Sequence, residues 1–478
     1  MRLGIAATTL SLAMLAATGL STATASASAS PLATEQVAAP TVAGPITGGR
    51  FGIPFNSSPV PLGPAGYTEQ EYFFSGTATG YQQAGTWGSD GRWSVTPAEQ
   101  APYESRMLVR RPADPARFNG TVIVEWLNVT AGADLDPDYL YDSAELLREG
   151  YAWVGVSAQA VGVNALRGID PARYASLNHP GDTFSYSIYS QAAAALLNRG
   201  GVRPLGGLRP KALIADGESQ SALRMSTYAN AIQPVDRLFS GFLIHSRSAD
   251  SAPISQAPQA AQPSPPIAAD RTDLDVPVLT VETETDLFTA PLFYQRLSQP
   301  DSARFRLWEL AGSSHVDANW LGLAAAEVSR FVPVPPGSCA LPPNSDQENY
   351  LMDTALAQLD RWVRAGVPPV HAPRIEVDGS AIVRDADGNA LGGVRSPILQ
   401  APTASHSGTG NSGPTISCLL SGTMTPFTPA QLSARYPAHA TYVAEVSVAA
   451  LGDVARGYLL PRDAAAIIEQ AENASIPA

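Results

Sequence analysis

Three stretches of this chain carry side chains whose types and order suit nucleophilic acyl transfer. The apolar run Ala212–Ala215 leads into Asp216-Gly217-Glu218-Ser219-Gln220-Ser221 and then directly into a helical pattern. Strand, sharp turn and helix in that order are what a nucleophile elbow requires. The residues two before and two after the central serine must be small so that strand and helix can approach, and Gly217 and Ser221 meet that need. The string is G-x-S-x-S, not the usual G-x-S-x-G, and by itself it would equally describe a helix capped by Ser219. A serine hydroxyl is a poor nucleophile until a histidine takes its proton and a carboxylate orients that histidine. Downstream, the run Val276–Glu282 is followed by Thr283-Glu284-Thr285-Asp286, and Arg304–Glu309 by Ala311-Gly312-Ser313-Ser314-His315. Of the histidines at 179, 245, 315, 371, 406 and 439, only His315 follows a late β run in a loop of small residues. His245 is the competitor, but it precedes both acids and breaks the order Ser, acid, His. Glu218 reads as a residue that faces solvent or orders the loop, not as a participant in proton transfer.

The elements that must hold these side chains are legible as alternation. Thr121–Trp126 is a compact β run, Tyr139–Arg148 a helix, and Ala152–Ser157 a second β run after the stop signal at Gly150, which together make a βαβ unit. Ser185–Asn198 and Ser221–Ala231 read as helices and Phe239–His245 as a strand. Strands alternating with helices over some two hundred residues predict an α/β fold with a mainly parallel sheet covered on both faces. Short β-like runs at Glu71–Ser75 and Ser105–Arg110 read as antiparallel strands at its edge. Two segments interrupt the rhythm, Ala160–Asp182 and the Ala/Pro/Ser/Gln-rich Ser248–Leu274, and both would leave the end of the sheet where ligands bind. Beyond His315, Val316–Phe331 and Gln347–Val363 read as helices, 370–425 as short and β-like, and 428–472 as helical.

Several phrases carry a family resemblance: Val124-Glu125-Trp126-Leu127-Asn128-Val129, Ala152-Trp153-Val154-Gly155-Val156-Ser157-Ala158-Gln159, the serine turn, Thr283-Glu284-Thr285-Asp286, and Leu391-Gly392-Gly393-Val394-Arg395. The segments from about 119 to 330 resemble the α/β-hydrolase superfamily, and the wider chain is similar to the bacterial "alpha/beta hydrolase domain-containing" proteins of undefined substrate. The resemblance implies a serine hydrolase acting on esters through Ser219, His315 and an acid. Superfamily members commonly place that acid in a G-x-x-D turn, which puts Thr283 at the glycine and Asp286 at the acid, with Glu284 as the alternative. An oxyanion hole needs two backbone N–H donors. One is expected from Gln220, the other from the loop after Thr121–Trp126, where Asn128 is the candidate in place of the usual His-Gly phrase. Trp126, Trp153 and Trp320 flank these segments and are candidates for pocket lining or core. An ordinary imidazole near pKa 6.5 would make activity fall below about pH 6.

Composition narrows the remaining choices. The chain has 478 residues, 45% hydrophobic and 15% charged, which suits a globular protein with a sizeable core. With 30 basic against 43 acidic residues the net charge is −13, and lysine occurs once, at Lys211, so nucleic acid is not an expected partner. The N-terminus has one charge at Arg2, an apolar stretch Leu3–Leu20 and small residues at Ala25, Ala27 and Ala29, which read as a signal peptide over 1–29 and secretion. The chain after cleavage is expected to be soluble, without stable membrane insertion. A lead-in over 30–65, a catalytic domain over 66–365 and a C-terminal extension over 366–478 packed on that domain complete the expected organisation. Only two cysteines exist, Cys339 and Cys418, and in an exported chain they are expected to pair. No cofactor or metal is expected: Asp385-Ala386-Asp387-Gly388-Asn389 resembles the start of a calcium loop, but Ser396 stands where its twelfth-position glutamate belongs. The expected substrate is a small-molecule or polymer-derived ester, the alternatives being a serine peptidase or amidase and a non-catalytic binding protein on the same scaffold.

Overall fold

A computed structural model of the protein describes residues 37–198, 200–334 and 339–476, which belong to one compact unit. The signal-peptide reading of residues 1–29 lies outside the described residues. Nine strands form one sheet in the order β1 (Thr41–Ala43), β2 (Tyr67–Ala84), β3 (Ser94–Pro112), β5 (Ala152–Val156), β4 (Thr121–Trp126), β6 (Ala212–Glu218), β7 (Gly241–His245), β8 (Val278–Thr283) and β9 (Phe305–Leu310). The first three are antiparallel and β3 meets β5 antiparallel, while β5, β4, β6, β7, β8 and β9 run parallel. The two short β-like runs near the start are parts of β2 and β3, a ribbon of 18 and 19 residues whose outer half is too polar to read as strand from hydropathy. Within the described part of the 30–65 lead-in, β1 pairs with β2, and Phe55 and Asn56 are buried against Arg106 and Arg110, so residues 37–65 help support the sheet.

Helices flank the sheet: α1 (Pro137–Glu149), α2 (Ala160–Ile169), α3 (Pro171–Tyr174), α4 (Ser185–Leu197), α5 (Gln220–Thr227), α6 (Gln233–Asp236), α7 (Glu284–Phe288), α8 (Ala318–Val328) and α9 (Glu348–Ala365). Side chains alternate across a strand, and β4 shows the result. Val122, Val124 and Trp126 enter the core with Tyr189 of α4 and Met225 of α5, whereas Ile123 and Leu127 enter the opposite core with Leu140 of α1 and Leu356 of α9. Ala160–Asp182, read as an interruption, is partly helical because Val163 and Leu166 find a separate small core with Phe55 and Tyr174. Among the described residues, no helix is long and apolar enough to cross a membrane.

The C-terminal part adds two hairpins, β10 (Val377–Asp378) with β11 (Ala381–Ile382) and β12 (Ala404–Ser407) with β13 (Thr423–Pro426). It also adds α10 (Pro397–Gln400), α11 (Ile416–Leu420), α12 (Pro429–Arg435), α13 (His439–Arg456) and α14 (Pro461–Asn473). Leu310 bridges Val394 in parallel, which continues the sheet edge into this segment. The acidic run at 385–389 is a turn: Asp385 accepts from the Asp387 and Asn389 N–H groups, and Asp385 and Asp387 pair with Arg395 and Arg435. Cys339 and Cys418 form a disulfide across 79 residues of sequence. Closing a loop of that length restricts the unfolded chain by roughly 4 kcal/mol in the chain-entropy account. Replacing both cysteines by serine is expected to lower the thermal midpoint by several degrees. An unchanged midpoint in calorimetry would remove this contribution.

Candidate active site

The site lies at the carboxyl ends of the parallel strands, and each contributing side chain sits just past one of them. Ser219 follows β6 and opens α5 at φ 57°, ψ −119°, a left-handed conformation that costs a non-glycine residue on the order of 1–3 kcal/mol. Several contacts hold it there. Ser219 N–H donates to the His245 carbonyl at the end of β7 (2.9 Å). A Cβ on Gly217 would come within 3.1 Å of the Ser221 backbone, a tighter approach than side chains ordinarily make. Ser221, where the usual motif has glycine, is small and also functional in the turn: its Oγ donates to the Glu218 carbonyl (2.7 Å) and accepts from the Glu218 N–H (3.1 Å).

Ser219 Oγ stands 2.8 Å from His315 Nε2, and His315 Nδ1 stands 2.7 Å from Asp286 Oδ1. Asp286 is in turn fixed through Oδ2, which accepts from Thr283 N–H (2.7 Å), Thr283 Oγ1 (2.8 Å) and Ser246 Oγ (2.8 Å). Burial would raise the Asp286 pKa, but the His315 ring and these donors hold it below the ordinary value. The carboxylate is therefore ionised and able to hold a proton on Nδ1, leaving Nε2 as the acceptor toward Ser219.

The two competing residues are engaged elsewhere. Glu284 accepts from Gly312 N–H (2.7 Å) through one oxygen and from Arg384 (2.8 Å) and Gly408 N–H (3.0 Å) through the other, so it ties the histidine loop to the C-terminal segment and does not reach the imidazole. His245 is completely buried with both ring nitrogens occupied, Nδ1 by Asp138 (2.7 Å) and Nε2 by Glu348 (3.0 Å). It has no nitrogen left for Ser219.

Two sequence expectations need correction. Asn128 cannot supply an oxyanion donor from its backbone, because that N–H is spent on the Leu135 carbonyl (2.9 Å) in a local bridge. Its side-chain amide donates to the carbonyl (3.0 Å) and carboxylate (3.2 Å) of Glu218. Glu218 itself does not face solvent. Its Oε1 lies 3.1 Å from His315 Nε2, the same nitrogen that meets Ser219. Burial raises the Glu218 carboxyl, and a positive charge on His315 or His245 pulls it back down, so Glu218 and His315 titrate as a coupled pair. For His315, burial lowers the pKa, but the facing carboxylates of Glu218 and Asp286 outweigh it and the net shift is upward. No sequence spacing announces this contact, since it depends on the turn rotating residue 218 inward.

The catalytic pocket, about 80 Å³, is lined by Asn128, Ala131, Ser219, His315 and Trp320 and, from the C-terminal segment, by Ile416, Ser417 and Leu420. Of the three tryptophans only Trp320 lines it. Trp126 and Trp153 are core residues whose indole N–H groups donate to Gln159 and Glu125. Among the described residues, no group of His, Cys, Asp and Glu is arranged to hold a metal ion.

A parallel sheet with a strained serine elbow after β6, an acid after β8 and a histidine after β9 defines the α/β-hydrolase class. The family described as "Alpha/beta hydrolase domain" matches residues 42–469, most of the chain, and the protein belongs to it. It is a hydrolase. Similar solved structures include a lid-less α/β serine hydrolase from Xanthomonas campestris, 13% identical, covering 54% of this chain and 97% of its own, with a TM-score of 0.29. An α/β serine hydrolase homologue from Coxiella burnetii is 13% identical to this chain, covering 48% of it and 93% of its own length (TM-score 0.29). An esterase from Rhizomucor miehei is 12% identical over 60% and 84% (TM-score 0.28). No curated protein matches the chain.

Proposed function

We propose that the protein is a secreted carboxylic-ester hydrolase working through an acyl-enzyme on Ser219. The observation that carries this reading is the chain of contacts from Ser219 Oγ through His315 to Asp286 at 2.8 and 2.7 Å. His315 Nε2 takes the serine proton as Oγ attacks the ester carbon, then returns it to the leaving alcohol. Asp286 keeps the ring oriented and stabilises the imidazolium. The developing oxyanion is met by the Gln220 N–H at the start of α5. Water then repeats the sequence on the acyl-enzyme. Fluorophosphonate labelling should modify Ser219, and p-nitrophenyl esters should be cleaved in preference to aminoacyl anilides. The reverse preference would make the protein an amidase, and absence of labelling together with absence of turnover would make it a binding protein.

Glu218 gives this reaction a distinctive pH dependence. An imidazolium cannot accept the Ser219 proton, so activity emerges only as pH rises through the His315 pKa. Because Glu218 and Asp286 both raise that pKa, the acid limb of kcat/KM is expected above the ordinary 6.5, not below about 6. Glu218→Gln removes one of the two raising charges and should move the limb toward lower pH. An unshifted limb in the pH profile of this variant would leave Glu218 without influence on the imidazole.

A further inference from the structure

Beside the catalytic pocket lies a second, much larger space of about 1230 Å³. One wall is α8, through Leu321, Ala325 and Ala326, and the other is the segment clasped by the Cys339–Cys418 disulfide, through Leu341, Pro342 and Pro414. Ser417 of α11 lines both this groove and the catalytic pocket, and Ile416 and Cys418 on either side of it line one each. Four large apolar side chains around this segment, Val334, Leu341, Ile416 and Leu419, are between 41% and 51% exposed, which leaves an apolar mouth on the surface. Such surface normally marks a binding site.

The position of the groove tells which half of an ester would use it. Its helical wall begins three residues after His315, and the Val316 N–H donates to the Leu420 carbonyl at the end of α11 (3.3 Å). The groove therefore opens on the imidazole side of Ser219. In acyl transfer the leaving oxygen must receive its proton from His315 Nε2, so the alcohol of the substrate lies on that side. The catalytic pocket itself is small beside the groove, about 80 Å³ against about 1230 Å³. A larger alcohol has to continue beyond it.

We infer that the groove between α8 and the disulfide-clasped segment is the leaving-group subsite, and that the substrates are esters of bulky apolar alcohols. This rests on the ester-hydrolase reading above and names the half of the substrate that the reading leaves open. The lining carries no charged side chain, its side-chain polar groups being the hydroxyls of Ser329, Thr415 and Ser417, so a charged alcohol would lose hydration there without a counter-charge. An alkyl chain loses nothing of that kind.

Two measurements test it, one of which needs no turnover. In the first, a series of acetate esters from methyl to octyl is compared with a p-nitrophenyl series of growing acyl chain. kcat/KM should rise by about threefold to fourfold per added alcohol methylene until the groove is filled. Ala326→Trp, on an exposed position of α8, and Leu341→Asp, on the opposite wall, should each reduce the octyl-to-methyl ratio by tenfold or more. In the second, 1-octanol binding to Ser219→Ala is followed by calorimetry, where the same two substitutions should weaken binding. Ester turnover that ignores alcohol length, or selectivity that follows only the acyl chain, overturns the subsite while leaving the hydrolase reading intact. Octanol binding that is absent, or indifferent to both substitutions, overturns it whatever the turnover. A concentration-dependent dimer abolished by Leu341→Asp with alcohol binding unchanged would assign the apolar mouth to a second copy of the chain instead.

Discussion

Ser219→Ala is expected to reduce ester turnover by about four orders of magnitude or more while the protein remains folded. The size follows from the roles of the contacts. Without Oγ no acyl-enzyme forms, and what remains is oxyanion stabilisation and substrate binding acting on water, which in well-characterised triads leaves only a small residue of the rate. Folding should survive because Ser219 contributes through its backbone: its N–H bond to the His245 carbonyl and the turn secured by Ser221 do not involve Oγ. His315→Ala should show a loss of the same order, since Oγ would have no base. The double variant should be little worse than either single one, because residues acting as a unit are not additive. Turnover of a p-nitrophenyl ester, with circular dichroism on each variant, checks this. A Ser219→Ala preparation retaining more than a few per cent of activity would move the nucleophile elsewhere.

How far such a site can be read in advance depends on whether its parts are local. Ser219 and His315 are legible because an elbow and a post-strand loop of small residues are written in consecutive residues. The parallel sheet is legible for a similar reason, since β4 to β9 are buried on both faces and read as short apolar runs between helices. The long β2–β3 ribbon is not, because its exposed portion pairs through backbone hydrogen bonds that hydropathy does not register. Asn128 shows a different limit. Position after the strand marks it as an oxyanion candidate, but whether its N–H is free depends on Leu135, seven residues on, folding back to accept it. Glu218 and the C-terminal lining at 416–420 are less accessible still. One depends on a side-chain rotation at a strained turn and the other on a segment brought back across the sheet edge from a hundred residues beyond His315.

The two carboxylates at 284 and 286 give the sharpest test, because they share a helix, α7, and are both buried, yet they are bound to different structures. Asp286 faces the His315 ring; Glu284 faces Gly312, Gly408 and Arg384. Asp286→Asn keeps the shape but removes the charge that stabilises imidazolium, and an amide can donate to Nδ1 and stabilise the wrong tautomer. The expected loss in kcat is up to about ten-thousandfold. Glu284→Gln should cost far less in rate, because nothing in the proton path changes. Its effect should appear as stability, since the Arg384 guanidinium loses its buried counter-charge and a neutral amide cannot accept as strongly from Gly312 and Gly408. Each variant therefore has a distinct signature: Asp286→Asn slow but near wild type in thermal midpoint, Glu284→Gln active but with a lowered midpoint. The opposite ranking in kcat on one ester, with both proteins folded, would transfer the orienting role to Glu284 and would require the α7 turn to present its first residue, not its third, to the histidine.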